Sequence, residues 1–309
     1  NSVIELTYNW GVDSYELGSG YGLDADNLEY LAAQVYPATG VNARVQAGLV
    51  ANDTYAADSH LVIERAEGSD LPQLPYSVFG NLTLGADTIE QNGVLRAPLG
   101  TLTLGTSTNQ NFTGAVILGG NSVTSISAAG LVMPYGGTTD GVTYQYQGQE
   151  VALHGVGSTR QGTISLVGSN VDVKEGAFLD LSGGGDLHGA GFVPGRGGST
   201  DARYYPLVQT SADGFTLPGL ASNPIYAIVP GYSSAYAPAD GTGAVDPLIG
   251  QQVTIGANRV PGLPAGTYTL LPSSYALLPG AYRVEINGAA TGFAPVSTIA
   301  MRNGSYSVA

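Results

Sequence analysis

Short strands of alternating apolar and hydroxyl-bearing residues recur in the middle of the chain. Residues 80–85 read Gly-Asn-Leu-Thr-Leu-Gly, and residues 100–105 repeat them as Gly-Thr-Leu-Thr-Leu-Gly after an offset of 20. A third strand, residues 162–166, begins close to three more steps of 20 beyond Gly100. Alternation with period two predicts half-buried strands, and the bracketing glycines predict turns.

Further short apolar segments lie between these strands, separated by Gly, Asn and Ser. Several short strands in each step of about 20 residues are typical of one turn of a β-solenoid. The pattern therefore predicts an all-β chain built as a solenoid. A sandwich or jelly roll is an alternative, since it also contains glycine-bracketed strands. A fold of membrane-spanning strands is disfavoured because few segments reach the ~10 alternating residues that such a strand needs.

Changes in composition and in the spacing of apolar residues predict four segments along the chain. Residues 1–75 form an N-terminal capping region in which residues 26–35 have the apolar spacing of a short helix behind Asp26. Residues 76–203 contain the β-helix turns of about 20 residues each. Residues 204–250 are a long excursion rich in Tyr and Pro, and residues 251–309 form a C-terminal strand region.

Composition and charge exclude several functions. The 46 glycines among 309 residues are about twice the usual share, and charged residues are 11% against a usual ~25%. This argues against an ordinary helical or α/β enzyme. The net charge of −14 disfavours binding to nucleic acid and docking on an anionic membrane, since both need a basic patch. Two long uncharged stretches each carry four prolines, so we expect no membrane insertion by a helix.

Two regions resemble the large filamentous-haemagglutinin-type exoproteins of two-partner secretion. Residues 171–187 read Val-Asp-Val-Lys-Glu-Gly-Ala-Phe-Leu-Asp-Leu-Ser-Gly-Gly-Gly-Asp-Leu, and residues 191–199 read Gly-Phe-Val-Pro-Gly-Arg-Gly-Gly-Ser. Residues 263–272 read Leu-Pro-Ala-Gly-Thr-Tyr-Thr-Leu-Leu-Pro, and residues 275–284 read Tyr-Ala-Leu-Leu-Pro-Gly-Ala-Tyr-Arg-Val. The resemblance covers about two thirds of the chain, from residue 80 to residue 284.

The resemblance implies a right-handed parallel β-helix in a large protein of a Gram-negative bacterium. Such a protein passes through an outer-membrane secretion pore and remains extracellular or at the cell surface. We therefore expect an interior or carboxy-terminal section of a longer adhesin, giving a rigid scaffold and a contact surface for a glycan or protein of a host or neighbouring cell. A carbohydrate-active β-helix enzyme or sugar-binding module is the alternative. A self-assembling extracellular fibre subunit, stacked head to tail, is a third.

Candidate catalytic groups are sparse. A polysaccharide hydrolase needs carboxylates on both sides of the glycosidic bond, and a lyase needs a cationic base with acidic residues that gather calcium. The sequence has no adjacent Asp-Asp pair and a single lysine, Lys174. His60, His154 and His188 have no histidine three or four residues away that could share a metal. The sequence therefore predicts a chain that is not an enzyme and binds no metal or cofactor.

Tyrosine is the residue type that suggests binding. The chain has 19 Tyr against 6 Phe and 1 Trp, and a tyrosine offers a flat apolar ring plus a hydroxyl. The candidate contact residues lie in the 204–250 excursion and are Tyr204, Tyr205, Tyr226, Tyr232 and Tyr236. The alternative is that these rings pack over the β-core with their hydroxyls bonded to the backbone.

Overall fold

The computed structural model describes residues 3–6, 26–50, 54–66, 68–108, 111–138, 144–146, 149–150, 162–191, 208–211, 214–216, 225–238, 246–285, 298–300 and 306–308. Regular structure in these ranges is β-strand apart from one 3₁₀ helix, Ser273–Leu277. The prediction of an all-β chain is confirmed. Within the same ranges, no helix has the length and apolar character to cross a bilayer.

The strands are numbered in chain order. The first eight, β1 to β8, are Val3–Leu6, Asn27–Leu31, Gln34–Pro37, Asn42–Gln46, Leu49–Val50, Thr54–Tyr55, His60–Glu64 and Asn81–Gly85. Strands β9 to β15 are Thr88–Gln91, Val94–Arg96, Thr101–Leu104, Ser107–Thr108, Asn111–Phe112, Ala115–Leu118 and Val123–Ser125. Strands β16 to β22 are Val132–Thr138, Gln145–Tyr146, Gln149–Glu150, Thr163–Leu166, Asn170–Val173, Phe178–Asp180 and Asp186–Gly191. Strands β23 to β31 are Val208–Ser211, Gly214–Thr216, Ile225–Ile228, Gln252–Ile255, Gly266–Thr269, Leu271–Pro272, Tyr282–Glu285, Thr298–Ala300 and Tyr306–Val308.

The chain divides into two compact units. Unit 1 comprises Asn1–Leu131 and Thr159–Gly185, and unit 2 comprises Val132–Ser158 and Asp186–Ala309. These boundaries differ from the four segments that the sequence predicts. Residues 132–158 belong to unit 2, and the chain then returns to unit 1 at Thr159. A division by local composition does not reveal that two distant segments belong to the same unit.

Unit 1 contains three large sheets whose ladders are all parallel. Sheet I has the order β1-β3-β10-β15-β21, sheet II has the order β2-β7-β9-β14-β20, and sheet III has the order β4-β8-β11-β19. From β8 to β11 the chain visits sheets III, II, I and III again, so that Thr101 pairs with Asn81, its counterpart in the preceding strand of sheet III. The next chain segments follow the same order of sheets.

The sequence predicts that the 62 residues between Gly100 and Gly162 are three further steps of about 20 residues, and the structure shows otherwise. Strand β19 pairs directly with β11, Ile164 beside Leu102, so no further sheet III strand lies between them. The interval is therefore not three steps of 20. It contains the β12–β13 hairpin and the segment that enters unit 2, and these insertions lengthen the chain without adding to sheet III.

The helix predicted for residues 26–35 is not observed. These residues lie in β2 and β3, and all five residues of β2 pair with β7. Local helical spacing is a weak preference that tertiary pairing overrides. In β2, Leu28 and Tyr30 pack against the core while Glu29 faces solvent, so the alternation of a strand is satisfied.

The core of unit 1 lies between its three large sheets. Inward-facing residues from every one of them meet there, including Leu61, Leu82, Leu95, Leu102 and Val116, all fully buried. Unit 2 has a core of its own around a five-stranded sheet of order β28-β25-β29-β31-β30, which includes Tyr226, Ile228, Leu270 and Tyr282.

Candidate functional site

Sheet III presents a polar face to solvent because its leucines turn inward. Leu82 and Leu102 pair side by side and are fully buried. Since successive side chains of a strand point to opposite faces, the residues beside them point away from the core. The outer side of sheet III is therefore the place where a ligand could meet regularly spaced polar groups.

These outer residues are aligned by the parallel register. Asn42, Asn81 and Thr101 form one row, and Arg44, Thr83 and Thr103 form the next row. We call these six residues the amide-threonine face. Within it, Asn81 Nδ2 donates a hydrogen bond to Asn42 Oδ1 at 2.5 Å, which fixes the amide orientation across the β4–β8 pair.

A shallow cavity of about 350 Å³ lies on this face, lined by Asn42, Ala43, Arg44, Asn81 and Thr83. Arg44 is exposed and forms no ion pair with any described carboxylate. Its guanidinium group is a planar donor that matches a carboxylate in two parallel hydrogen bonds. The amides and the hydroxyl next to it can each donate or accept a hydrogen bond. The cavity is thus suited to a ligand rich in oxygen atoms, with an anionic group next to Arg44.

Tyr226, one of the predicted contact residues, lies in the core of unit 2 and is 1% exposed. Its hydroxyl donates to Asp246 Oδ2 at 2.8 Å. Burial, followed by the hydrogen bond and the charge of Asp246, raises the pKa of Tyr226 to about 12. The prediction that Tyr226 contacts a partner is therefore wrong. Its strand, β25, pairs with β28 on one side and β29 on the other, and the neighbouring Ala227 and Ile228 are buried as well.

The other predicted tyrosines have different positions. Tyr236 is 58% exposed, and the hydroxyl of Tyr232 donates to the carbonyl oxygen of Tyr236. Ser234 holds the same loop, because Thr269 Oγ1 donates to its carbonyl oxygen at 2.7 Å. Tyr204 and Tyr205 lie outside the described residues. Of the predicted contact residues, Tyr236 is therefore exposed and Tyr232 partly exposed in unit 2.

The histidines do not form a common site in the described part of the chain. His60 Nε2 lies 3.2 Å from Glu90 Oε1, across the β7–β9 pair. His188 lies in β22 of the other unit, and His154 is not among the described residues. The described ranges contain no group of three or more His, Asp or Glu side chains that could hold a metal ion.

Comparisons with known proteins give short local similarities. The chain is 48% identical to lactoylglutathione lyase of Escherichia coli O157:H7 over 56 residues, which is 17% of this chain and 41% of the lyase. It is 47% identical to lactoylglutathione lyase of Haemophilus influenzae over 49 residues, 15% of this chain and 36% of the lyase. A probable lactoylglutathione lyase of Synechocystis is 59% identical over 29 residues, 9% of this chain and 22% of that protein.

The chain thus spans about two fifths of the length of the first of these lyases, and the matches cover less than a fifth of the chain. No protein-family model matches it, and no solved structure matches it significantly. The local similarity is to an enzyme. On this finding the prediction that the chain is not an enzyme is wrong.

The sequence did not indicate the amide-threonine face as a site. The alternation in β8 and β11 identified the strands, and their Asn and Thr residues were the available signal for a polar outer face. Asn42 and Arg44 could not be added to that face from sequence. They belong to β4, which is far from its partner β8 along the chain, and the β5–β6 hairpin and strand β7 of sheet II lie between the two strands.

Proposed function

We propose that the chain is a section of a secreted, surface-associated bacterial adhesin, in which a right-handed parallel β-helix supplies length, rigidity and a contact surface. The observation that carries this proposal is the repeated visit of strands β8 to β21 of unit 1 to three parallel sheets in the order III, II, I, with inner residues in register. Crossovers between parallel strands of one sheet are right-handed in nearly all proteins, which supports the proposed hand.

This architecture suits a spacer. Each complete turn adds one strand to each sheet, so the stack grows by ~4.8 Å per turn. Insertions such as the β5–β6 and β12–β13 hairpins leave at the corners, where they enlarge the surface without changing the stacking. A long protein of this type would hold its contact sites at a fixed distance from the cell.

The amide-threonine face is the proposed contact surface, and its partner is an acidic glycan of a host or neighbouring cell. Arg44 would bind a carboxylate of the sugar, while Asn42, Asn81 and Thr83 would bind hydroxyl groups. Tyr232 and Tyr236 offer a second, aromatic contact in unit 2.

A binding panel of acidic and neutral glycans tests this contact surface. Replacing Arg44 and Asn81 together by Ala should weaken binding to the best acidic glycan at least tenfold, because both groups line the cavity. The matched control is Arg259→Ala, which removes an exposed arginine of unit 2. Equal binding by the double variant and the control would contradict the assignment. Cleavage of the glycan during incubation would favour the carbohydrate-active enzyme instead.

The proposed location is tested with the parent protein in its producing cell. The parent chain should appear in the medium or on the cell surface, and removal of the partner secretion pore should retain it in the cell. A parent protein that stays in the cytoplasm with the pore intact would rule out the adhesin.

Exposed apolar residues favour head-to-tail self-association as a second candidate. Val173 in the edge strand β20 pairs with the fully buried Leu118 and is itself 47% exposed, while Phe178 in the edge strand β21 is 56% exposed. Unpaired strand edges with apolar residues are templates for another chain. Since sheets I, II and III are all parallel, a second copy would continue the ladders only head to tail, and such contacts produce open filaments.

Sedimentation velocity tests this association. The protein should form larger species as its concentration rises, and Val173→Lys should suppress them. Thr103→Lys, on the outer side of sheet III, is the control because it leaves both stack ends unchanged. Concentration-independent monomers would contradict fibre assembly.

The local similarity to lactoylglutathione lyases supports a third candidate, an enzyme that acts on lactoylglutathione. The purified chain would be incubated with lactoylglutathione, and loss of the compound would be compared with that caused by heat-denatured chain. Equal loss in both samples would reject this activity.

A further inference from the structure

The polar rows of the amide-threonine face continue onto β19, the edge strand of sheet III. Thr163 pairs with Thr101, and Ser165 pairs with Thr103. The first row is thereby extended to Asn42, Asn81, Thr101 and Thr163, and the second row to Arg44, Thr83, Thr103 and Ser165. All eight residues are exposed or half-buried. Four neighbouring strands therefore present polar groups at steps of ~4.8 Å, the distance between adjacent strands.

Tyr55 bounds this face near the end of β8. Its ring lies over Gly85, the next outward position after Thr83, where a Cβ atom would clash with the ring and the hydroxyl. Gln46 Nε2 donates to this hydroxyl at 3.0 Å, and Thr106 Oγ1 donates to it at 3.5 Å. Strand β8 thus offers two outward polar positions before the ring of Tyr55, whereas each row extends over four strands. A linear ligand therefore has more room across the strands than along them.

Positive charge is confined to one end of the rows. Arg44, in β4, is the only charged residue among the eight, and β8, β11 and β19 present only amides and hydroxyls. The chain as a whole has a net charge of −14. A carboxylate beside Arg44 gains charge-assisted hydrogen bonds. Carboxylates over the other three strands would lose hydration without meeting a cation, and the negative chain would repel them.

We propose that this face binds a linear neutral oligosaccharide that ends in one acidic sugar, and that the oligosaccharide lies across β4, β8, β11 and β19. The inference rests on the proposed glycan contact and specifies the class and the direction of its ligand. The acidic sugar lies over β4, with its carboxylate on Arg44. Each sugar of an extended chain advances by a distance similar to the strand spacing, so the neutral sugars that follow meet the amide and hydroxyl groups of β8, β11 and β19.

Calorimetric titration with three matched tetrasaccharides tests the ligand class. They are glucuronosyl xylotriose with one acidic end, neutral xylotetraose, and tetragalacturonate with four carboxylates. The native chain should bind glucuronosyl xylotriose at least tenfold more tightly than either of the others. Arg44→Gln should reduce the affinity for this compound to that for xylotetraose, and should leave binding of xylotetraose unchanged. Arg259→Gln, in unit 2, is the control and should alter neither. Tighter binding of tetragalacturonate, or an unchanged preference in Arg44→Gln, would overturn the proposal.

A variant at the far end of the rows tests the direction of the ligand. Thr163→Ala combined with Ser165→Ala should weaken binding of glucuronosyl xylotriose at least threefold. The disaccharide glucuronosyl xylose is too short to reach β19 from Arg44, so its affinity should not change. Ser169→Ala removes an exposed hydroxyl just beyond β19 and is the matched control. Equal effects of the double variant on both ligands, or no effect on either, would refute a ligand that crosses the four strands.

The titrations separate this inference from the glycan contact on which it rests. Binding of acidic glycans without a preference for a single acidic end leaves the contact in place and rejects the inference. Absence of binding by every glycan rejects both.

Discussion

Tyr226 shows how burial changes the chemistry of a single residue. Its ring lies in the core of unit 2, and its hydroxyl is bonded to Asp246. Because burial and the carboxylate disfavour the phenolate, folding raises the pKa of Tyr226 from the ordinary 10.0 of a tyrosine to about 12. The stabilisation that comes with this shift is present below pH 10 and is lost as the pH rises through 12.

Tyr226→Phe should therefore weaken the dependence of stability on alkaline pH. Chemical unfolding of the native chain and the variant is measured from about pH 9 to about pH 12, so that both pKa values are covered. The native chain should lose more stability over this range than the variant. At neutral pH the variant should be less stable by about 1–3 kcal/mol, since it loses a hydrogen bond to a charged group. Parallel curves for the two proteins would contradict this account.

In unit 1, burial makes the side chain of Leu102 important for stability. It is fully buried and lies between Leu82 and Ile164 in adjacent strands. Leu102→Ala should reduce the free energy of unfolding by about 2–5 kcal/mol, because it leaves a cavity that the flanking strands cannot fill. Thr103→Ala on the outer side of the same strand is the control, with an expected change below ~1 kcal/mol. The measurement is urea unfolding followed by far-ultraviolet circular dichroism.

At the scale of elements, the close approach of the neighbouring sheet III strands β8 and β11 depends on glycine. A Cβ atom on Gly100 would clash with the carbonyl oxygen of Gly80, which occupies the equivalent position before the paired strand β8. The same carbonyl accepts a hydrogen bond from the Thr101 amide at 3.2 Å. These two glycines immediately precede β8 and β11, so their repetition in the sequence reflects contact between backbones.

Gly100→Ala should accordingly destabilise unit 1 by about 1–3 kcal/mol through overpacking. Gly183→Ala is the matched control, since a Cβ atom there would meet no atom within 4 Å. Thermal unfolding of both variants checks the difference. A control as destabilised as Gly100→Ala would show that loss of glycine, and not the contact with Gly80, is responsible.

Strands were predictable where residues alternate and glycines bracket them, as in β8, β11 and β19. The prediction for residues 26–35 was wrong because Leu28 fits both a helical face and the inward face of a strand whose partner, β7, is distant along the chain. Leu31, which the helical spacing places beside Leu28, points outward from the strand and is 61% exposed. Only part of the amide-threonine face could be predicted from the sequence. Alternation gives Thr83 and Thr103 an outward position, but the contribution of Arg44 depends on the pairing of β4 with β8, which local sequence does not reveal.

At the scale of the whole molecule, the two units have separate cores. We therefore expect two thermal transitions in a calorimetric scan. Leu102→Ala should lower the midpoint of one transition and Tyr226→Phe that of the other, since each residue belongs to a different core. A single transition that both variants shift equally would contradict independent unfolding.

The pairing of β11 with β19 joins two parts of unit 1 that are separated along the chain by a segment of unit 2. Residues on either side of the unit 2 segment, which lies between β15 and β19, are joined by the ladders β11–β19, β14–β20 and β15–β21. A single protease cut engineered between β18 and β19 would leave these ladders intact. The nicked protein should migrate as one particle in a native gel and as two bands in a denaturing gel. We therefore expect covalent continuity at that point to be dispensable, so that the two fragments reconstitute the fold when mixed.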